Sequence, residues 1–391
     1  MIRLRVMKIT FIGQKGIPTQ AGGVERHVEE LAVRLAKRPN TAVVVYTRPW
    51  YTSKQKQFYK GVRLVSLPSI YSKHLDAISH TLFAIFHAAL IEKADIIHIH
   101  AVGPALLTWV ARLLRPKARV IVTFHCIDRQ HQKWGSFAKL MLWVGEWSAM
   151  KFAHEVITVS RTLQDYAYEV YNRIVQYIPN GASLLPAVAP SIIQQQFGLQ
   201  KDGYILMVSR LVRHKGVHHL IRAYQGLHTD KPLVIVGDAA FTDEYVREVK
   251  ALADNNPKII FTGLQTGKAL QELFSNAYCF VLPSESEGLP IVLLEAGSYG
   301  KTLIASDIPA NREVVDGHGI LVPVGRVPAL RNALQNVLDN PVLAKNLGDS
   351  ARALIQANYL WDTIADTTAI LYQQQLQCYT GQRVHQPAPV H

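Results

Sequence analysis

Two carboxylates with seven residues between them, Glu287 and Glu295, stand in the stretch Pro283-Ser-Glu-Ser-Glu-Gly-Leu-Pro-Ile-Val-Leu-Leu-Glu295. The apolar run 278–282 before them has the pattern of a buried strand, and Ile291 to Tyr299 that of a helix. Pro290 falls where the helix would begin, a position at which its missing N–H costs nothing. Glu287 then lies in the turn above the strand and Glu295 about one and a half turns into the helix. The N–H groups of Gly288, Leu289 and Ile291 point into the same crevice, where helix-end polarity favours oxygen acceptors. A carboxylate pair facing a row of backbone donors suits a polyhydroxyl ligand, one acid accepting from a ribose diol and the other from a hexose. The plain alternative is a capped helix with one acid near its start and one on an exposed face.

A second strand-to-helix loop, Ser209-Arg-Leu-Val-Arg-His-Lys-Gly216, brings cations. Arg210 and Lys215 can hold a diphosphate there in place of a metal ion. No Asp-x-Asp motif occurs and no His/Cys cluster has ligand spacing, so phosphate handling without metal is expected. Near the start of the chain, the strand pattern Lys8 to Gly13 runs into Gln14-Lys-Gly-Ile-Pro-Thr-Gln-Ala-Gly-Gly-Val-Glu25 and an amphipathic helix from Glu25 to Lys37. Strand, glycine loop and helix present backbone N–H groups to phosphate, although the dinucleotide three-glycine spacing is absent. His98, His100 and His125 each fall at or just past a strand end, the edge of a parallel sheet that carries ligands.

Taken together, these motifs resemble retaining glycosyltransferases of the GT-B fold, particularly glycosyltransferase family 4. The Glu287-to-Glu295 string resembles the family's paired-glutamate signature. Arg210, Lys215 and Gly216 resemble its phosphate-gripping residues, and Gly22-Gly23 its loop near the donor phosphates. The run His125-Cys-Ile-Asp-Arg-Gln-His-Gln-Lys-Trp-Gly135 is similar to a His-Gly-x-Asp-Trp string followed by Lys-Trp-Gly in a subset of the family. His125, Asp128, Lys133, Trp134 and Gly135 match it, whereas Cys126 replaces the usual glycine and Arg129 the usual tryptophan.

The resemblance implies catalytic roles for His125, Glu287, Arg210 and Lys215. It implies substrate contacts for Gly22, Gly23, Asp128, Gly263, Leu264, Gly288, Leu289, Pro290, Ile291 and Glu295, with Gly263-Leu264 placed for the nucleobase. The implied reaction is transfer of a hexose from a nucleotide diphosphate sugar to a hydroxyl with retention at the anomeric carbon. UDP-hexoses are the first expectation and GDP-mannose the second, and no cofactor or metal is implied. A nucleotide-sugar epimerase or dehydrogenase would be expected to carry the dinucleotide fingerprint and a Tyr-x-x-x-Lys pair, which are not found. A non-catalytic nucleotide-sugar-binding module remains the other alternative.

These residues need a scaffold, and the chain supplies alternating strands and helices throughout. That order argues for α/β architecture with parallel, doubly wound sheets. Strand patterns fall at 42–46, 62–67, 96–100, 119–124, 156–160, 176–178, 204–209, 233–237, 258–261, 303–306 and 320–322, with Asp307 to Asn311 as a loop. At 391 residues the chain has room for two domains. An acceptor-side Rossmann-like domain over 1–184 and a nucleotide-sugar domain over 192–360 are expected to face a central cleft. A helix over 361–377 would cross back to the first domain, leaving a flexible tail over 378–391.

Composition narrows the partners. Residues 1–180 carry 25 Lys and Arg against 11 Asp and Glu, so all of the net charge of +13 lies in the first half. An anionic partner follows, either a membrane face or a lipid phosphate, since no nucleic-acid fingerprint is present. Lys54, Lys56, Lys60, Arg63 and Lys73 interleave with Tyr51, Phe58, Tyr59 and Tyr71. That mixture fits a monotopic membrane contact and equally an ordinary solvated face. The three cysteines fit a reducing compartment. A lipid-linked or glycan acceptor on the cytoplasmic membrane face, as in exopolysaccharide or lipopolysaccharide assembly, is the expected setting.

Overall fold

The computed structural model describes residues 6–72, 75–130, 135–239 and 242–380. Lys73, Lys133 and Trp134 and the tail beyond Thr380 lie outside the described residues. The chain divides into two compact units, Met1–Pro179 with Trp361–His391, and Asn180–Leu360.

The first unit is built on eight strands: β1 Met7–Ile12, β2 Thr41–Thr47, β3 Phe58–Tyr59, β4 Val62–Ser66, β5 Ile96–His100, β6 Arg119–Phe124, β7 Glu155–Thr158 and β8 Gln176–Tyr177. Their order is β3-β4-β2-β1-β5-β6-β7-β8, parallel except for β3 against β4. The second unit has six parallel strands, β9 Ile205–Val208, β10 Leu233–Val236, β11 Ile259–Gly263, β12 Cys279–Leu282, β13 Thr302–Ser306 and β14 Ile320–Val322, in the order β11-β10-β9-β12-β13-β14. The central strands are apolar without alternation, as in Leu233–Val236 and Cys279–Leu282, because helices cover both faces and every side chain is buried. Each sheet is the centre of its own doubly wound α/β domain.

Each sheet has one place where the order of strands reverses. In the first unit the chain grows outward through β2 and β4 on one side of β1, and through β5 to β8 on the other. In the second unit β10 and β11 lie on one side of β9, and β12 to β14 on the other. A parallel sheet leaves a crevice beyond the carboxyl ends of the strands at such a reversal. The loops after β1, β5, β9 and β12 are therefore where a ligand would be held.

Several local readings change. Pro290 is the N-cap rather than the first helical residue: the helix is Ile291–Ser298, and the Pro290 carbonyl accepts its first bond from Leu293 N–H at 3.1 Å. Residues 309–311 are helical, because Pro309 supplies the fixed φ that starts Pro309–Val315. The apolar segment 75–91 is α-helical over Asp76–Phe86 and widens to a π-turn over His87–Ile91. The final helix, Trp361–Thr380, belongs to the first unit and continues three residues into the stretch expected to be tail. It is clamped there by buried Trp361 and Tyr372 and by the pairs Arg34–Asp362 and Arg38–Asp366.

Candidate active site

In the second unit the two motif loops form one structure. After β9, residues Arg213–Lys215 make a single 3-10 turn, and Gly216 starts the helix Val217–Tyr224 with φ +71. A Cβ at Gly216 would meet the Pro283 carbonyl at 2.1 Å, so only glycine lets the two loops touch. Beside this contact, Glu285 N–H donates to the His214 carbonyl at 2.8 Å. Lys215 Nζ then reaches Glu287 Oε1 at 2.5 Å, with the two side chains only 13% and 9% exposed. A cation and a carboxylate from separate loops are thus fixed at the β9/β12 reversal.

Neighbouring loops extend the set. Gly237, at φ +136, packs on the Ser209 carbonyl, and its N–H donates to the Gly263 carbonyl at 2.9 Å. Arg210 is exposed on the β9 loop, Gly263 (φ +70) ends β11, and half-exposed Leu264 follows it. Leu289 and Ile291 are buried, and Glu295 is partly buried on the helix that follows. Asn180, buried at the start of the unit, donates through Nδ2 to the Leu289 carbonyl at 2.7 Å and holds the Gly288–Pro290 turn. Nothing local in the sequence marked Asn180 for that task.

The first unit gathers a different chemistry at its own reversal. Gly22, at φ +116, caps the helix Gly23–Ala36, and Gly23 is its first residue. The loop before them is tied down. Tyr51 Oη accepts from Gln20 N–H at 2.7 Å, and Glu29 Oε2 accepts from Thr19 N–H at 2.6 Å. Buried Glu25 accepts from Lys15 N–H at 3.1 Å and lies directly against Gly22. The loop is not a bare cradle of N–H groups, since a carboxylate sits beneath it.

Beside the loop, His27, His100 and His125 form a buried cluster. His100 Nδ1 and His125 Nε2 are 3.1 Å apart, and the His27 ring meets the His125 ring edge-on at 4.9 Å. Burial, reinforced by the neighbouring imidazoles, holds the pKa of His100 and of His125 well below the usual histidine value. Both are neutral at pH 7. His100 Nε2 has no hydrogen-bond partner among the described residues. The tautomer that avoids a buried orphan N–H has His100 donating through Nδ1, which leaves the His125 proton on its own Nδ1. Ala101, directly after His100, holds φ +71 and ψ 155, backbone that normally belongs to glycine.

His98 separates from this group. It shares a strand face with His100, but Tyr372 Oη at 2.5 Å and Thr123 Oγ1 at 2.7 Å take both of its nitrogens. His98 is therefore part of the core. His27, on a helix far from the strand-end motifs, is the member that strand-end reasoning missed.

Two profiles cover most of the chain: "Glycosyltransferase Family 4" matches residues 21–184 and "Glycosyl transferases group 1" matches residues 190–354. This chain is a GT-B glycosyltransferase of the family 4 and group 1 type. A Mycobacterium tuberculosis protein named glycogen synthase is 26% identical, with 97% of each chain covered. The fold matches that of a sucrose-phosphate synthase from Thermosynechococcus elongatus with a TM-score of 0.80 at 24% identity, over 95% of this chain and all of that one. It also matches Anabaena HepE, solved in complex with UDP-glucose, with a TM-score of 0.79 at 21% identity, over 94% of this chain and all of that one.

The glycosyltransferase departs from the resemblance at Cys126 and Arg129, and both have local roles. Asp128 opens the short turn Asp128–Gln130 and accepts from Cys126 Sγ at 3.4 Å. Arg129 pairs with Glu146, a fully buried carboxylate on the helix Ser136–Phe152 that also accepts from Tyr166 and Tyr171 at 2.8 Å each. Two groups of described side chains have donor atoms close enough to share an ion, His27 with His100 and His125, and His218 with His219 and Glu285.

Proposed function

We propose that this glycosyltransferase moves a hexose from a nucleotide diphosphate sugar to a hydroxyl of a glycan or lipid-linked sugar, with retention at the anomeric carbon and without a metal ion. UDP-sugars are the favoured donors and GDP-mannose the second choice. The observation that carries the reading is the Lys215–Glu287 pair held at the β9/β12 reversal by the contact of Gly216 with Pro283. Breaking the anomeric bond places negative charge on the departing diphosphate, and Lys215 with Arg210 would stabilise it. Glu295 would accept from the ribose diol. Glu287 and the Gly288–Ile291 backbone would hold the hexose hydroxyls, and Gly263-Leu264 the base.

In the first unit, Gly22, Gly23, His125 and Asp128 are the groups for the reacting sugar and its acceptor. A neutral His125 serves there as a hydrogen-bond donor rather than as a cation. The family assignment supports a sugar transfer, and the UDP-glucose complex of HepE supports the choice of base. The basic first half supports a setting in surface polysaccharide assembly on the cytoplasmic membrane face. Among the described residues no helix is long and apolar enough to cross a membrane.

The test is a panel of UDP-, GDP- and dTDP-sugars scored for thermal stabilisation and slow sugar release, repeated after exhaustive chelation. One donor standing out is expected, with release unchanged by chelator. Lys215→Ala and Glu287→Ala should each abolish that release while keeping the fold. Normal turnover in either variant would remove its residue from the mechanism, and loss of turnover restored by a divalent ion would overturn the metal-free assignment.

A further inference from the structure

We propose that the first unit docks on an anionic lipid bilayer through one continuous face built from residues 75–91, the helix Thr108–Leu114 and the helix Ser136–Phe152. The central helix packs against both neighbours. On the first segment Leu82, Phe86 and Leu90 recur at four-residue spacing on the solvent side. Trp109 and Leu113 repeat that spacing on the central helix, and Phe137, Leu140, Trp143 and Trp147 follow on the third. Leu113 and Phe137 are 69% and 76% exposed. The opposite sides of the same helices are also apolar, with Ala84, Ala88, Ala111 and Ala149 buried. Helices that carry apolar side chains on the solvent side as well as on the core side call for an apolar neighbour on the outside too.

Nine large side chains, about half exposed on average, present on the order of 1,000 Å² at roughly 200 Å² apiece. A monomer's largest apolar patch is about 300–600 Å². Three of the nine are tryptophans, the side chain that settles at a bilayer's headgroup level.

Charge selects the occupant. Among the described residues, the acids on residues 75–93, 108–117 and 135–152 are Asp76, Glu92 and Glu146, and each is committed to an arginine of the same unit: Arg48, Arg63 and Arg129. The remaining formal charges are Lys93, Arg112, Arg115, Lys117, Lys139 and Lys151, all cationic. Each cation near an anionic leaflet contributes about 1 kcal/mol, whereas a second copy of this face would set six cations against six. Among the described residues of 51–73, whose composition also fitted a membrane contact, Phe58 and Tyr71 are exposed but other groups are engaged within the unit. Tyr51 is buried against the glycine loop, Tyr59 donates to Glu29 at 2.7 Å, and Lys56 and Lys60 lie over the Tyr59 ring. Docking does not depend on which donor the enzyme uses.

The experiment is vesicle sedimentation of the full chain with phosphatidylcholine alone or with about 30 mol% phosphatidylglycerol, using wild type, Leu113→Glu/Phe137→Glu and Lys54→Glu/Lys56→Glu. Wild type is expected to bind the anionic vesicles with a blue shift of tryptophan emission. The first variant should lose at least tenfold in partitioning at an unchanged melting temperature, and the second should stay within about twofold. Wild type that ignores anionic vesicles, or a first variant that binds them normally, would overturn the proposal. So would a wild-type dimer that the first variant turns into a monomer, since a second copy would then own the face.

Discussion

Gly216→Ala isolates the contact on which the proposed donor site depends. An alanine at φ +71 costs about 1–2 kcal/mol in backbone terms alone. The new Cβ would also lie 2.1 Å from the Pro283 carbonyl oxygen, where ordinary contact begins at 3.4 Å. Because the obstacle is backbone, no side chain can swing aside, and the two loops must part by over an ångström. The bond from Glu285 N–H to the His214 carbonyl spans the same gap and is worth about 1 kcal/mol. Roughly 2–3 kcal/mol of stability should go, a fall of about 5–10 °C in melting temperature for a unit of this size. Function should fall further, since a 1 Å misplacement can cost about 100-fold. That corresponds to about 2.7 kcal/mol at 1.36 kcal/mol per decade.

Gly198→Ala is the control, with φ +67 and nothing within 4 Å of its Cβ. It pays the backbone cost without moving the loops. Its expected signature is a few degrees of melting temperature with kcat/KM within about twofold of wild type. The assay is sugar release from the donor that the panel identifies, with melting temperature measured on the same preparations. If Gly216→Ala kept wild-type kcat/KM while melting like the control, the loop contact would not position Lys215 and Glu287. Equal activity loss in both variants would mean that general softening of the unit, not loop separation, controls turnover.

Two further outcomes can be checked by denaturation. Arg129→Ala should cost roughly 2–4 kcal/mol by leaving buried Glu146 without its cation. Adding Glu146→Gln should recover at least half of that, and a single variant within 0.5 kcal/mol of wild type would show that Tyr166 and Tyr171 suffice (~0.5 being the ordinary surface-mutation scatter). Stability should also fall in mild acid. Burial depresses the pKa of His98, His100 and His125 far below normal, and that of His80 to about 4. The native state holds them neutral while the unfolded chain takes up protons below about pH 6.5. The stability they contribute is complete above that pH and lost as pH drops toward the native values, by about 1 kcal/mol per histidine at pH 5.5. A denaturant midpoint equal at pH 7.5 and pH 5.5 would contradict the buried neutral cluster.

The second unit was the more legible of the two because its functional groups come in contiguous strings. Ser209 to Gly216 and Pro283 to Glu295 are each strand end, loop and helix start, so local spacing fixes where Arg210, Lys215, Glu287 and Glu295 fall. The first unit's cluster draws on positions 27, 100 and 125, which meet only after β1, β5 and β6 are laid side by side. Sequence placed His98 and His100 at one strand end but could not separate them. Tyr372, some 270 residues away, decides that His98 is core. Composition was weaker still. It saw the aromatics of 51–73 but not that Tyr51 and Tyr59 turn inward.

The two strand-order reversals are topologically alike, and they differ in the charge of the groups they hold. At β9 and β12 the structure keeps Arg210 exposed and Lys215 and Glu287 nearly buried, groups suited to an anion and a sugar diol. At β1 and β5 it keeps neutral imidazoles and places the Glu25 carboxylate against the glycine loop. A diphosphate brought to that loop would meet a buried negative charge, whereas a neutral hydroxyl could accept from His125 and donate to an oxygen without any charge being moved. In the proposed reaction the phosphate charge would therefore fall to the second unit's cations. Gly22 and Gly23, which resemble phosphate-loop glycines, would then face the reacting sugar and its acceptor, with Glu25 set against Gly22.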